Sequence, residues 1–116
     1  MVRSVLYLSA REGAVSAIVD LYRRERILER ALEQDGCLAC ELQLPRDGEG
    51  PLLVTALWRD ADAYEGWVAN PWRKASAPML ADLVDGEFDG GVRGAVYEVE
   101  LAVGNPSAAD SRGGEV

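Results

Sequence analysis

The 116-residue chain has no histidine, a single lysine (Lys74) and two cysteines, and each shortage closes off a chemistry. Without histidine there is no commonest metal ligand, no usual general base and no His axial ligand for haem. Cys37 and Cys40 have C-x-x-C spacing, but no second pair completes a zinc site. Three apart in a strand, they are expected on opposite faces and read as two small buried hydrophobes. No G-x-G-x-x-G, P-loop or G-x-S-x-G pattern occurs, and Gly90-Gly91 and Gly113-Gly114 read as a turn and a tail. No metal and no cofactor is therefore expected. Cations are scarce too: 12 Lys and Arg stand against 20 Asp and Glu, a net charge of −8. They are scattered apart from Arg23, Arg24 and Arg26, which argues against nucleic acid or an anionic membrane as partner. No apolar run exceeds strand length, and the opening MVRSVLYLSAREG carries charge too early for a signal-peptide core, so a cytoplasmic location is expected.

What is present is ordinary in amount and uneven in distribution. With 48% apolar and 28% charged residues, the chain has the composition of one globular domain without room for a separate cofactor domain. Residues 58–79, WRDADAYEGWVANPWRKASAPM, hold all three tryptophans, Tyr64, Lys74 and an Asn70-Pro71 break. That density of aromatic and cationic groups points to a pocket.

Residues 2–8 (VRSVLYL) form a strand apolar on both faces. From Ala14 the apolar residues Val15, Ile18, Val19, Leu21, Tyr22, Leu28 and Leu32 recur at helical spacing as far as an αL stop at Gly36, and the charged residues between them form a solvated face. CLACELQL and LLVTALW, joined by PRDGEGP, read as an antiparallel hairpin. Asp60 N-caps a helix with a stripe of Ala61, Tyr64, Trp67 and Val68. Pro71 starts another helix over 72–84, with Trp72, Ala75, Met79, Leu80 and Leu83 available to pack. A Gly/Asp-rich loop over 85–94 leads to a last strand over 95–103. Residues 104–116 read as a flexible tail after a domain spanning 1–103.

The order β, α, β, β, α(α), β specifies an α+β, ferredoxin-like split β-α-β fold, a four-stranded antiparallel sheet with its helices on one face. The strands are apolar on both faces, so the bare side needs a second layer that the chain lacks. A second copy supplies it, giving a homodimer with its sheets face to face.

Taken together, DGCLACELQL, LLVTALW, WRDADAYEGWVANP and the closing AVYEVEL resemble the antibiotic biosynthesis monooxygenase domain family across residues 2–103. The resemblance implies a dimeric α+β barrel with a pocket in each protomer between sheet and helices. It also implies, for some members, oxidation of aromatic polyketides such as anthrones to quinones with O2 and no metal or flavin, in bacterial secondary metabolism; other members degrade haem. Trp58 matches the strand-end Trp that faces the pocket, and Tyr64 the Tyr of the Ala-Tyr pair. Val54 stands where the anthrone oxygenases place Asn, and Trp67 where many relatives have a helix His, which argues against haem degradation.

An enolised phenol or anthrone is electron-rich enough to reduce O2 directly, leaving the protein to bind it, stabilise its anion and exclude water. The residues proposed for catalysis are Trp58, Tyr64 and Arg73, with Tyr64 bonding the substrate oxygen and Arg73 or Lys74 stabilising an enolate. Trp67, Trp72, Asn70, Met79 and Tyr7 are the candidate substrate-binding residues. Aromatics at helical spacing also serve as plain core. A polyketide cyclase using Tyr64 with Arg73, or Glu41 if it points inward, is the second reading, and a non-catalytic small-molecule-binding accessory protein the third.

Overall fold

The computed structural model describes residues 1–85 and 92–104. β1 (Val2–Leu8) pairs antiparallel with β3 (Leu52–Trp58) on one side and β4 (Val92–Glu98) on the other, and β2 (Cys37–Gln43) lies at the edge beside β3. The sheet order β2-β3-β1-β4, with helices between β1 and β2 and between β3 and β4, is the ferredoxin-like α+β fold expected. The register Ser4↔Ala56, Leu6↔Val54 and Leu42↔Val54 sets these side chains on the face that carries the helices. By strand alternation Val5, Tyr7, Leu53, Thr55 and Leu57 lie on the other face, against which, among the described residues, no helix packs. There Gln43 donates to Thr55 Oγ1 at 3.0 Å and to Glu41 Oε1 at 2.8 Å, while its own Oε1 is buried without a partner.

Several expectations are corrected by packing. The single helix expected from Ala14 to the stop at Gly36 is two: α1 (Val15–Arg24) and α2 (Ile27–Leu32). Arg26 between them is left-handed, at φ 54. At about 100° per residue, Ile27 and Ala31 would fall nearly opposite Ile18 and Tyr22 on one continuous helix, and Leu28 about 100° away. The break brings both sets onto the sheet and leaves Leu32 exposed. The register of β2 shifts between Cys37 and Ala39, a bulge that adds Leu38 to one strand. That extra residue cancels the alternation, so Cys37 and Cys40 pack against the same core cluster rather than on opposite faces.

α3 (Ala61–Val68) begins at Asp60, whose carboxylate accepts the Ala63 N–H at 2.9 Å. Ala63, not Ala61, joins Trp67 in the core. Gly36 explains why: at φ +89 it has no Cβ, and one built there would lie 2.5 Å from the Ala63 Cβ. α4 (Pro71–Ala81) starts where the Asn-Pro break was expected but ends earlier. Val84 leaves the helix to pair with Ala10 in an isolated bridge, where it is fully buried. No side chain of α4 is fully buried: Trp72, Arg73, Ser76 and Leu80 face inward half-exposed, and Ala75 and Met79 are exposed. β4 runs over Val92–Glu98 rather than 95–103, because β1 pairs only from Val2↔Glu98 to Leu8↔Val92. Beyond the Val99 N–H bond to Met1 O, Leu101 and Val103 stand exposed. Most of the expected 85–94 loop, and the tail after Gly104, lie outside the described residues.

The core is in two parts. One joins Val2, Ala31, Ala56, Trp58, Ala63 and Trp67; the other joins Leu8, Ile18, Tyr22, Leu52 and Val84. Among the described residues, no helix is long and apolar enough to cross a membrane.

Candidate functional site

Between the two core clusters lies a cavity of about 530 Å³, within the size range of small-molecule sites. Its floor is the helix-side face of the sheet: Ser4 and Leu6 from β1, Val54, Ala56 and Trp58 from β3, and Cys40 from β2. Tyr22 of α1 and Leu28 and Ala31 of α2 form one wall. Tyr64, Trp67, Trp72, Arg73 and Lys74, from α3 and α4, form the cover.

Local sequence fixes this cover. Asp60 starts α3 directly after Trp58, so Tyr64 arrives edge-on to the Trp58 indole, with ring centroids 5.8 Å apart and planes at 66°. Asn70 then turns the chain: its Oδ1 accepts the Trp72 N–H at 2.8 Å and the Arg73 N–H at 3.2 Å, and Pro71 needs no bond at the first helical position. This turn points Trp72 and Arg73 inward. The Arg73 guanidinium lies 6.0 Å from the Trp67 ring centroid, and Arg30 of α2 stacks 4.1 Å from that of Trp72.

The cavity is apolar with a few polar handles. Trp58, only 1% exposed, donates its indole N–H to Ser4 Oγ at 2.9 Å. With its oxygen accepting from the indole, the Ser4 hydroxyl keeps its proton for a partner in the cavity. Burial pushes the Tyr22 hydroxyl up to about 12, against the partial pull of the Arg73 charge, so it stays protonated at neutral pH. Burial also raises the Cys37 thiol, opposed by a hydrogen bond with Cys40, and Cys40 Sγ donates to Leu28 O at 3.3 Å. Among the described residues, Arg73 and Lys74 are the only charged residues of the lining. Among the described residues, no group of three His, Cys, Asp or Glu is placed to hold a metal.

Of the eight residues singled out in the sequence, the cavity brings together five: Trp58, Tyr64, Trp67, Trp72 and Arg73. The other three do not line it. Tyr7 pairs with Leu53 and so lies on the opposite sheet face. Asn70 borders a separate recess of about 250 Å³ with Arg30 and Gln34, and its oxygen is taken up as the helix cap. Met79 is on the outer side of α4. Glu41, paired with Thr55, is also turned away from the cavity and is exposed. Nothing local in the sequence marks Ser4 and Leu6, although two-residue alternation back from Trp58 marks Val54 and Ala56. Tyr22, in a helical stripe, has the sequence signature of core and not of a lining residue.

The chain matches the antibiotic biosynthesis monooxygenase family over residues 1–77, 77 of its 116 positions. A search of curated proteins returns no match. Among solved structures, it resembles a Deinococcus radiodurans protein classed with the antibiotic biosynthesis monooxygenases, at TM-score 0.73 and 23% identity over 90% of this chain and 98% of that one. It resembles a mutant of SnoaB, a cofactor-independent oxygenase from Streptomyces nogalater, at TM-score 0.71 and 17% identity over 90% and 97%. It also resembles MhuD, a haem degrader from Mycobacterium tuberculosis solved with two haems in its active site, at TM-score 0.71 and 22% identity over 90% and 100%. At these identities the structural likeness is one of fold. With the sequence match covering two thirds of the chain, sheet order and helix placement agree: the protein belongs to the antibiotic biosynthesis monooxygenase family.

Proposed function

We propose that this protein is a cofactor-independent monooxygenase that oxidises an aromatic, polyketide-type small molecule with O2, in the cytoplasm and in bacterial secondary metabolism. The observation that carries the reading is a cavity of small-molecule size with three tryptophans, Tyr64 and one inward cation around it. A flat substrate stacks among Trp58, Trp67 and Trp72. Tyr64 and Ser4 hydrogen-bond its oxygen, and the charge of Arg73 favours the enolate. Ser4 thus offers a polar group on the floor that Val54 does not. The enolate carbon reduces O2 and bonds one of its atoms; loss of water then leaves a new carbonyl. A methylene and O2 become a ketone and H2O, and the protein contributes position, charge and exclusion of solvent.

Two other activities fit less well. The cyclase reading keeps only Tyr64 with Arg73, since Glu41 is on the far face. Haem degradation lacks the usual histidine axial ligand, since the chain has no histidine; the buried Tyr22 hydroxyl is held protonated and the Cys40 thiol is engaged with Leu28 O.

We also propose a homodimer, with the uncovered face of Val5, Tyr7, Leu53 and Leu57 as its interface and a second copy covering the buried Gln43 oxygen. A monomeric mass by light scattering at micromolar concentration would refute it. For the activity, oxygen uptake is measured with metal-stripped protein and an anthrone. Uptake that needs the protein, and falls in Trp58→Phe and Tyr64→Phe, is expected. No uptake by folded protein that still binds the anthrone refutes the oxygenase.

A further inference from the structure

Among the described residues, Arg73 and Lys74 are the cations that line the cavity, and neither is in an ion pair. Among the described residues, the ion pairs join Arg24 to Glu25, Arg26 to Glu29, and Arg59 to Asp35 and Asp60, all on the surface. Among the described residues of this chain of net charge −8, no carboxylate lies in ion-pair range of Arg73 or Lys74, and none lines their cavity. Arg73 is half-buried, held against the Trp67 ring and close enough to lower the pKa of buried Tyr22. The ring orients the guanidinium without neutralising it. A partly desolvated cation left without a counter-ion is a cost to the fold, and it is removed if a ligand brings the anion. Lys74, exposed at the rim, adds a second charge on the adjacent residue.

We propose that the ligand of this cavity is an aromatic acid, its rings stacked among Trp58, Trp67 and Trp72 and its carboxylate held by Arg73 and Lys74. The guanidinium fork matches a carboxylate with two parallel N–H bonds and keeps further donors for the enol oxygen of the same substrate. The Tyr22 hydroxyl, protonated at neutral pH, is a neutral donor at the same place. A neutral ring system of the same shape would leave Arg73 unmatched. This rests on the reading that the cavity is the substrate site, and not on oxygen chemistry.

The test is calorimetric titration of the full chain with 2-naphthoate and with 2-naphthamide, equal in shape and different in charge. The acid should bind about tenfold tighter or more. The ratio of the two affinities cancels general damage to the cavity, and it should fall to near one in R73Q/K74Q. In Arg73→Glu the preference should pass to the cation 2-naphthylmethylamine. Equal affinities in the unaltered protein, a ratio unchanged in R73Q/K74Q, or no binding of either compound would overturn the proposal. An acid preference without oxygen uptake on any anthrone would sink the oxygenase reading alone. Uptake on a neutral anthrone with equal affinities would sink the acid proposal alone.

Discussion

Replacing Gly36 with alanine strikes the joint that sets the position of Trp58. Gly36 lies between α2 and β2 at φ +89, and its carbonyl accepts the Arg59 N–H at 2.8 Å, one residue beyond Trp58. Two costs arise. An L-residue in the left-handed region loses about 1–2 kcal/mol. The new methyl would also sit 2.5 Å from the Ala63 Cβ and 3.3 Å from the Arg59 guanidinium, and forcing β2 and α3 apart costs about 1–3 kcal/mol. Gly36→Ala should therefore lose about 2–5 kcal/mol in urea denaturation, and at least about 8 °C in Tm for a domain of this size. The two parts separate in a double-mutant cycle. Ala63→Gly alone costs about 1 kcal/mol of helix propensity, but combined with Gly36→Ala it relieves the clash, giving a favourable coupling of about 1–2 kcal/mol. The strain part remains. A loss below about 1 kcal/mol in Gly36→Ala, or zero coupling, would refute the close approach of the two elements.

Tyr22 should titrate well above the ordinary tyrosine value, since burial raises its pKa to about 12 from 10.0. Below pH 10 the stabilisation is fully present; above it the unfolded chain loses this proton first, so about 3 kcal/mol of stability disappears as pH rises to about 12. Absorbance of tyrosinate should show one late group that vanishes in Tyr22→Phe. Asn70→Ala removes the acceptor of two N–H groups and should cost about 0.5–2 kcal/mol, whereas Asn70→Asp should keep most of it; urea titration of the pair decides. Since that cap also aims Arg73, the alanine variant should weaken binding of 2-naphthoate more than of 2-naphthamide.

Local signals with their own chemistry were legible in the sequence. The hairpin, the Asp60 cap, the Asn70-Pro71 turn and the β-α-β-β-α-β order all follow from turn residues and periodicity, and so did five of the residues around the cavity. What escaped depends on partners distant in sequence. Arg26 carries no mark of a left-handed residue; only the slip in apolar phase between Tyr22 and Ile27 hints at a break. Leu38 becomes an extra residue only because β3 offers it no partner, and the end of β4 is set by the length of β1. Tyr7 and Glu41 were placed by residue type, whereas counting by twos from Trp58 through the sheet register assigns both to the far face. Residue type singles out Asn70 as a contact, whereas its oxygen is taken by the backbone N–H groups of Trp72 and Arg73.

Because α4 spans the cavity and no side chain of it is fully buried, its hold on the rest of the fold is weak where the site is empty of ligand. Such a segment opens locally at a small fraction of the global unfolding free energy, so its amides should exchange with deuterium well before those of β1 and β3. A bound molecule becomes the core that this helix lacks. Ligand at a hundred times its dissociation constant adds about 2.7 kcal/mol to the folded state. Slowed exchange confined to residues 71–81, together with a raised melting temperature, would then report a true ligand from a compound collection before any reaction is known.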